Sequence, residues 1–153
     1  MVYGLELENQ VGNFFFFIMS SKTIFNLLIK LKNASKSNCA FLTVKYNSSS
    51  FPIITFLYKQ GYINYFFFKN KYNIIISLKY FNGYSLLTNL RIYNNPIRPY
   101  YIKYRNILLY YNGLYKNHYF LLLSTSYGLL TLEEIIFNNY KIGGQVLFSI
   151  NLY

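Results

Sequence analysis

The sequence predicts an α+β fold in which an N-terminal α-β-α-β-β subdomain packs on a mostly β C-terminal subdomain with one short helix. Three observations lead there. Apolar side chains recur at helical spacing over residues 21–33, two aromatic and β-branched runs flank Asn70 and Lys71, and the second half of the chain alternates short apolar runs with Asn, Gly and Pro.

In "SKTIFNLLIKLKN" (21–33), Ile24, Leu27, Leu28 and Leu31 share one helix face. Ser20 or Ser21 is available as N-cap, and Lys30 and Lys32 suit the negative end of the helix dipole. A strand over Phe41–Tyr46 follows. "SSSFPIITFLYKQG" then offers a serine cap, a proline in the first turn and Gly61 as a left-handed stop, which together predict a second helix. "YINYFFFK" and "YNIIISLKY" read as a hairpin, and Asn82 and Gly83 make the next turn.

Beyond that turn the composition predicts strands at about 86–93, 100–104 and 107–111, broken by Asn94, Asn95, Pro96 and Pro99 and ended by a turn at Asn112 and Gly113. "HYFLLLSTSYG" reads as a strand running into a loop. Thr131 and Glu134 match the T-x-x-E capping box of a short helix, and "QVLFSINLY" closes the chain as an alternating strand. The expected organisation is an N-terminal extension (1–20), an N-terminal subdomain (21–82) and a C-terminal subdomain (83–153).

Composition narrows the class. Of 153 residues 54% are hydrophobic and 22% aromatic, with 19 tyrosines, 15 phenylalanines and no tryptophan, so the chain has ample material for a core and is not intrinsically disordered. Fifteen Lys and Arg oppose four acidic residues, all Glu, for a formal net charge of +11, which suits a polyanionic partner. The dominance of Phe, Tyr, Ile, Leu, Asn and Lys is what an AT-rich organelle gene would encode.

Targeting and membrane signals are weak. The first twenty residues contain Glu6 and Glu8 and no arginine, unlike a mitochondrial transit peptide, and no basic region precedes "FFFFIM", unlike a secretory signal. The apolar runs fall short of the roughly 20 residues that a spanning helix needs. The single cysteine, Cys39, allows no intramolecular disulfide and reads as a buried, inert thiol.

A search for catalytic chemistry returns nothing. His118, the single histidine, has no second ligand type at metal spacing and reads as a solvent-facing or locally bonded imidazole. Glu133 and Glu134 are adjacent and diverge by about 100° on a helix, so they cannot face each other as an acid/base pair. Gly143 and Gly144 lack the Lys-Ser/Thr of a phosphate cradle. The expectation is a non-enzyme with no cofactor, no metal and no small-molecule substrate.

What remains is basic residues interleaved with tyrosines, as in "RIYNNPIRPYYIKYR" (91–105), which could meet phosphates through cations and bases through rings, or could equally be an amphipathic surface hairpin. Several segments then add a resemblance. "NLLIKLKNA" (26–34) is similar to D-M-L-x-R-I-R-N-G, "KQGYI" (59–63) to E-E-G-F-I, "LKYFNG" (78–83) to L-K-Y-x-x-G, "STSYG" (124–128) to S-T-S-x-G and "IGGQVLFSI" (142–150) to G-G-E-V/I-L-x-Y-V. In this order they resemble the universal small-subunit ribosomal protein numbered eight, in its bacterial and organellar form, over about residues 22–151.

That resemblance implies a protein that binds a helix in the central domain of the small-subunit ribosomal RNA, supports its assembly and touches neighbouring small-subunit proteins. Carried over by position, Ser124, Thr125, Ser126, Tyr127 and Gly128 fall on the family's main RNA contact. Tyr101 falls on its tyrosine after a proline turn, Lys30, Lys32 and Asn33 on its N-terminal basic stretch, and Gly143 and Gly144 on its glycine pair. Departures are Tyr127 where the family commonly has Lys, "NNPI" (94–97) in place of S-R-P-G, and Gln145 in place of Glu.

The residues of the loop agree with such a role. In an extended segment Ser124 and Ser126 point to one side and Thr125 to the other, so two short hydroxyls face a common partner. Gly128 lets the main chain come close. Hydroxyls donate or accept, as 2′-hydroxyls and phosphate oxygens require. The expected location is a mitochondrial ribosome, with an organelle-encoded gene, or alternatively a plastid. The competing expectation is a membrane-associated organelle protein with no RNA partner, motivated by the aromatic excess.

Overall fold

The computed structural model describes residues 21–93, 95–116 and 119–151. The readings made on "FFFFIM", Ser20 and His118 lie outside the described residues. The α+β class expected from the sequence is the class observed: helices with a small sheet come first, then a larger sheet against which the two later helices pack.

Helix α1 (Ser21–Lys36) buries Ile24, Leu27, Leu28 and Leu31, the four positions its periodicity marks. Burying each contributes about 1.5–3 kcal/mol. The helix runs one turn past the expected Asn33. Asn38 takes a φ of 54° there, so that its N–H reaches the Ser35 carbonyl at 3.3 Å and the Cys39 N–H reaches the Ala34 carbonyl at 3.0 Å. This is a Schellman stop made with asparagine. It turns Cys39 out to solvent, which corrects the expectation of a buried thiol.

Strand β1 (Phe41–Lys45) leads to α2 (Phe51–Lys59), β2 (Ile63–Phe68) and β3 (Asn73–Leu78). The three strands form an antiparallel sheet in the order β1-β3-β2. Leu42 and Phe66 pair with the buried Ile76, and Val44 and the exposed Phe68 with the buried Ile74. The Ser50 side chain does not cap α2: its hydroxyl donates back to the Asn47 carbonyl at 3.3 Å, and the Asn47 side chain takes the Ser49 N–H at 2.8 Å. With its hydroxyl turned back to Asn47, Ser50 is not available to the first-turn N–H groups. Gly61, at φ 80°, ends α2 as expected: the Tyr62 N–H donates to Leu57 and the Gly61 N–H to Tyr58.

Asn82 (φ 51°) and Gly83 (φ 81°) form the expected two-residue turn, bridged by Phe81 and Tyr84. A 3-10 turn over Leu86–Asn89 precedes β4 (Leu90–Ile92), and β5 (Tyr101–Ile102) is followed by a 3-10 turn over Tyr104–Asn106. The predicted strand at 107–111 is instead the start of helix α3 (Ile107–Lys116), and Asn112 and Gly113 are helical residues inside it. Ile107 and Tyr111, one helical turn apart, face the core while Leu108 and Leu109 lie exposed. The exposed leucines disguised a helix period as a continuous strand-like run.

Strands β6 (Tyr119–Thr125) and β7 (Gly128–Thr131), helix α4 (Leu132–Phe137) and strand β8 (Gly144–Asn151) complete the chain. The larger sheet has the order β4-β8-β6-β7, with β5 beside β4 on the free edge of β8. One apolar cluster joins α1, α2 and the small sheet to Leu87, Leu90, Leu122, Leu147, Phe148 and Ile150. A second joins Ile102, Ile107, Leu121, Leu123, Leu132, Ile135 and Val146. Leu121 and Leu123 therefore serve one core and Leu122 the other, as alternation along a strand requires.

Candidate nucleic-acid interface

The end of β6 continues that alternation. Thr125, 2% exposed, follows Leu121 and Leu123 inward, whereas Ser124 stays half-buried on the opposite face and Ser126 is exposed at the turn. Thr125 and Gly128 are opposed in the β6–β7 register, so Ser126 and Tyr127 form the tip of a tight hairpin. Gly128 has a φ of 104°, a conformation that an L side chain resists.

The Thr125 hydroxyl closes this turn from inside. It donates to the Gly128 carbonyl at 2.9 Å and accepts the Tyr127 N–H at 3.2 Å. Ser124 and Ser126 lie toward the outer side and Thr125 points the other way, as the alternation predicts, and the Thr125 hydroxyl holds the loop in shape. Helix α4 braces the far end of β7: the Thr131 hydroxyl accepts the Glu134 N–H at 3.1 Å and the Glu134 carboxylate accepts the Thr131 N–H at 2.8 Å. This is the capping box that the sequence marks.

Sheet register brings distant residues to the loop. Tyr101 on β5 is opposite Gln145 on β8, Gln145 is opposite Ser124 on β6, and Ser124 is opposite Leu129 on β7. Residues opposed across antiparallel strands share a face. Tyr101, 62% exposed, and the half-buried Gln145 and Ser124 thus make a continuous polar row that ends at the hairpin.

Gly143 and Gly144 permit this row by close approach. A Cβ on Gly144 would lie 2.5 Å from the Ser124 carbonyl oxygen and 2.9 Å from the Thr125 methyl, and one on Gly143 would collide with the Ile102 carbonyl oxygen. Both glycines thus set strand spacing beneath the row.

Lys30 and Asn33 are exposed and Lys32 half-buried on α1, which packs on the Leu86–Asn89 turn and β4. They belong to a different element from the Tyr101–Gln145–Ser124 row. In the 91–105 segment Arg98, Lys103 and Arg105 are exposed. Tyr100 lies with ring centroids 6.4 Å from both Tyr93 and Tyr110, and its hydroxyl bonds that of Tyr110. That hydrogen bond, with some burial, raises the Tyr100 pKa above the usual tyrosine value.

Two site neighbours escaped sequence reasoning. Gln145 was visible only as a departure from a glutamate, and its place in the row depends on strand register. Tyr140 stacks on Tyr127 with centroids 4.9 Å apart and planes inclined by 21°. It reaches that position because Asn139, at φ 53°, ends α4 and sends the Tyr140 N–H back to the Ile135 carbonyl at 3.0 Å. No local pattern in "FNNYK" discloses it. Among the described residues no group of His, Cys, Asp or Glu could hold a metal ion.

Comparison with known proteins bears on this arrangement. The model of the family described as Ribosomal protein S8 matches residues 22–151. The chain is 40% identical over 99 residues to the small ribosomal subunit protein uS8m of Acanthamoeba castellanii, covering 65% of this chain and 75% of that one. It is 31% identical over 132 residues to the small ribosomal subunit protein uS8 of Borreliella burgdorferi (strain ZS7), covering 84% of this chain and 96% of that one. Over 134 residues it is 31% identical to the uS8 of Rickettsia typhi, covering 82% and 93%.

Proposed function

Because the chain belongs to the ribosomal protein S8 family, we propose that it binds a helix in the central domain of small-subunit ribosomal RNA and supports the assembly of that domain. Family membership makes it a structural constituent of a small ribosomal subunit and not an enzyme. Its likeness to a uS8m supports the mitochondrial ribosome as its location. Encoding by the organelle's own genome, contact with neighbouring small-subunit proteins and a subdomain boundary at residues 82 and 83 are parts of the same proposal.

The observation that carries the reading is the polar row Tyr101–Gln145–Ser124 running into a hairpin held by the Thr125 hydroxyl. A rigid edge of polar groups fits the wide minor groove of an RNA helix, where 2′-hydroxyls and base edges are displayed. Its hydrogen bonds do not suffice alone. Each nets about 0.5–1.5 kcal/mol, whereas a specific complex near 10⁻⁸ M requires about 11 kcal/mol. Exposed cations such as Lys30, Lys103, Arg105 and Lys141 are available to supply phosphate contacts.

No helix of the described residues is long and apolar enough to cross a membrane. The test is sedimentation of an organelle lysate. The protein should travel with the small ribosomal subunit and shift to lighter fractions after ribonuclease. Co-migration with lipid until detergent is added would overturn the proposal, and enrichment in plastid rather than mitochondrial subunits would overturn the location.

A further inference from the structure

We infer that Tyr127 and Tyr140 form a preformed stacking platform for one unpaired nucleobase beside the hairpin, an inference that rests on the RNA-binding reading above. Tyr127 is 63% exposed at the hairpin tip. One face of its ring is covered by Tyr140, with centroids 4.9 Å apart and planes inclined by 21°. A third flat ring extends such a stack by lying on the remaining face, and every nucleobase offers one.

Both rings are anchored through their own backbones. The Tyr127 N–H is held by the Thr125 hydroxyl, and the Tyr140 N–H by the Ile135 carbonyl at the end of α4. Helix α4 is itself tied at its start by the reciprocal Thr131 and Glu134 bonds. The platform therefore meets its ligand with little ordering left to do, which favours binding.

Its surroundings select a nucleic acid over an apolar protein side chain. Exposed Lys141 follows Tyr140 directly. A Cβ on Gly143 would lie 3.2 Å from Cα of Lys103, so the backbone of this exposed lysine runs beside the segment that follows Lys141, and both side chains are available for phosphates flanking a stacked base. The exposed hydroxyl-bearing Ser126 is the residue before Tyr127. A stacked base at this point would be an unpaired one next to the RNA helix, because paired bases present no open face.

The test measures binding of the full-length protein to a transcript of the central domain of its own organelle's small-subunit rRNA, with variants Y127F, Y127L and Y127K at several salt concentrations. Stacking worth about 1–3 kcal/mol per base corresponds to a weakening of about 5- to 150-fold in Y127L, with Y127F near wild type. The salt slope should be unchanged in Y127L and steeper by about 0.7 to 0.9 in Y127K. Wild-type protein irradiated at the complex should form its uracil or cytosine adduct at Tyr127. Y127L binding as tightly as wild type, or Y127F falling as far as Y127L, overturns the platform while leaving the RNA reading intact. A wild-type protein that ignores the transcript at every salt concentration overturns both.

Discussion

Replacing Gly144 by alanine tests the close approach on which the polar row depends. The new Cβ would sit 2.5 Å from the Ser124 carbonyl oxygen and 3.2 Å from the Ser124 carbonyl carbon. These are backbone atoms of β6, which cannot rotate away as a side-chain end would, so the cost belongs near the top of the overpacking range, about 3 kcal/mol. Alanine also restricts the unfolded chain, which returns about 0.4–1 kcal/mol. The net loss is about 2 kcal/mol. At about 2.1 cal/mol/K per residue, unfolding of a chain this size carries about 0.3 kcal/mol/K, so the midpoint should fall by about 6 °C. Thermal melting followed by circular dichroism measures it. A midpoint within about 1 °C of wild type would refute the packing argument, and with it the claim that Gly144 spaces β8 against β6.

Four further outcomes follow from particular contacts. Gly113→Ala, at an exposed position inside α3 with no atom within 4 Å of the added Cβ, should stabilise the protein by about 1 kcal/mol; a turn at Asn112 and Gly113 would give the opposite sign in a urea titration. Thr125→Val leaves the Tyr127 N–H and the Gly128 carbonyl without their hydroxyl partner and should cost about 1–3 kcal/mol in the same assay. Burial, and then the nearby Glu133, raise the Tyr62 pKa, so its contribution to stability is complete below the ordinary tyrosine value of 10.0 and is lost as pH climbs through the higher folded value; Tyr62→Phe should flatten that alkaline fall in a pH series of melts. Affinity for the rRNA transcript should drop more than about tenfold between 50 and 200 mM salt, as two or more phosphate contacts require, while Ser126→Ala chiefly reduces the preference over unrelated RNA in a competition assay.

Much of the fold is legible because single residues announce backbone events. Gly61 ends α2 and Asn82 with Gly83 turns the chain, each with the positive φ that its type favours, and Thr131 with Glu134 makes the expected reciprocal cap. The misreadings share a cause: the deciding partner was distant or indirect. Helix α3 was hidden because its exposed Leu108 and Leu109 carry the same apolar label as its buried Ile107. Ser50 resembles a cap, but its hydroxyl donates back to the Asn47 carbonyl instead of accepting from the first turn. Cys39 is apolar enough to be buried and is turned outward by the left-handed Asn38 before it.

The loop was legible as a motif, and its division of labour was not. Alternation places Thr125 opposite Ser124 and Ser126, but only the packing of Leu121 and Leu123 under α3 and α4 decides which side is inside. Gln145 joins the row through register alone. A bulge between Leu122 and Leu123, where β8 gains a residue at Leu147, sets that register, and no sequence pattern in β8 marks it.

Amide hydrogen exchange of the protein with and without the central-domain transcript tests the central claim most directly. Peptides covering Ser124–Gly128, Gln145 and Tyr101 should exchange more slowly in the complex, together and at the same RNA concentration. Unchanged exchange in those peptides, with protection confined to another surface of a fully bound protein, would contradict the assignment of this face to RNA.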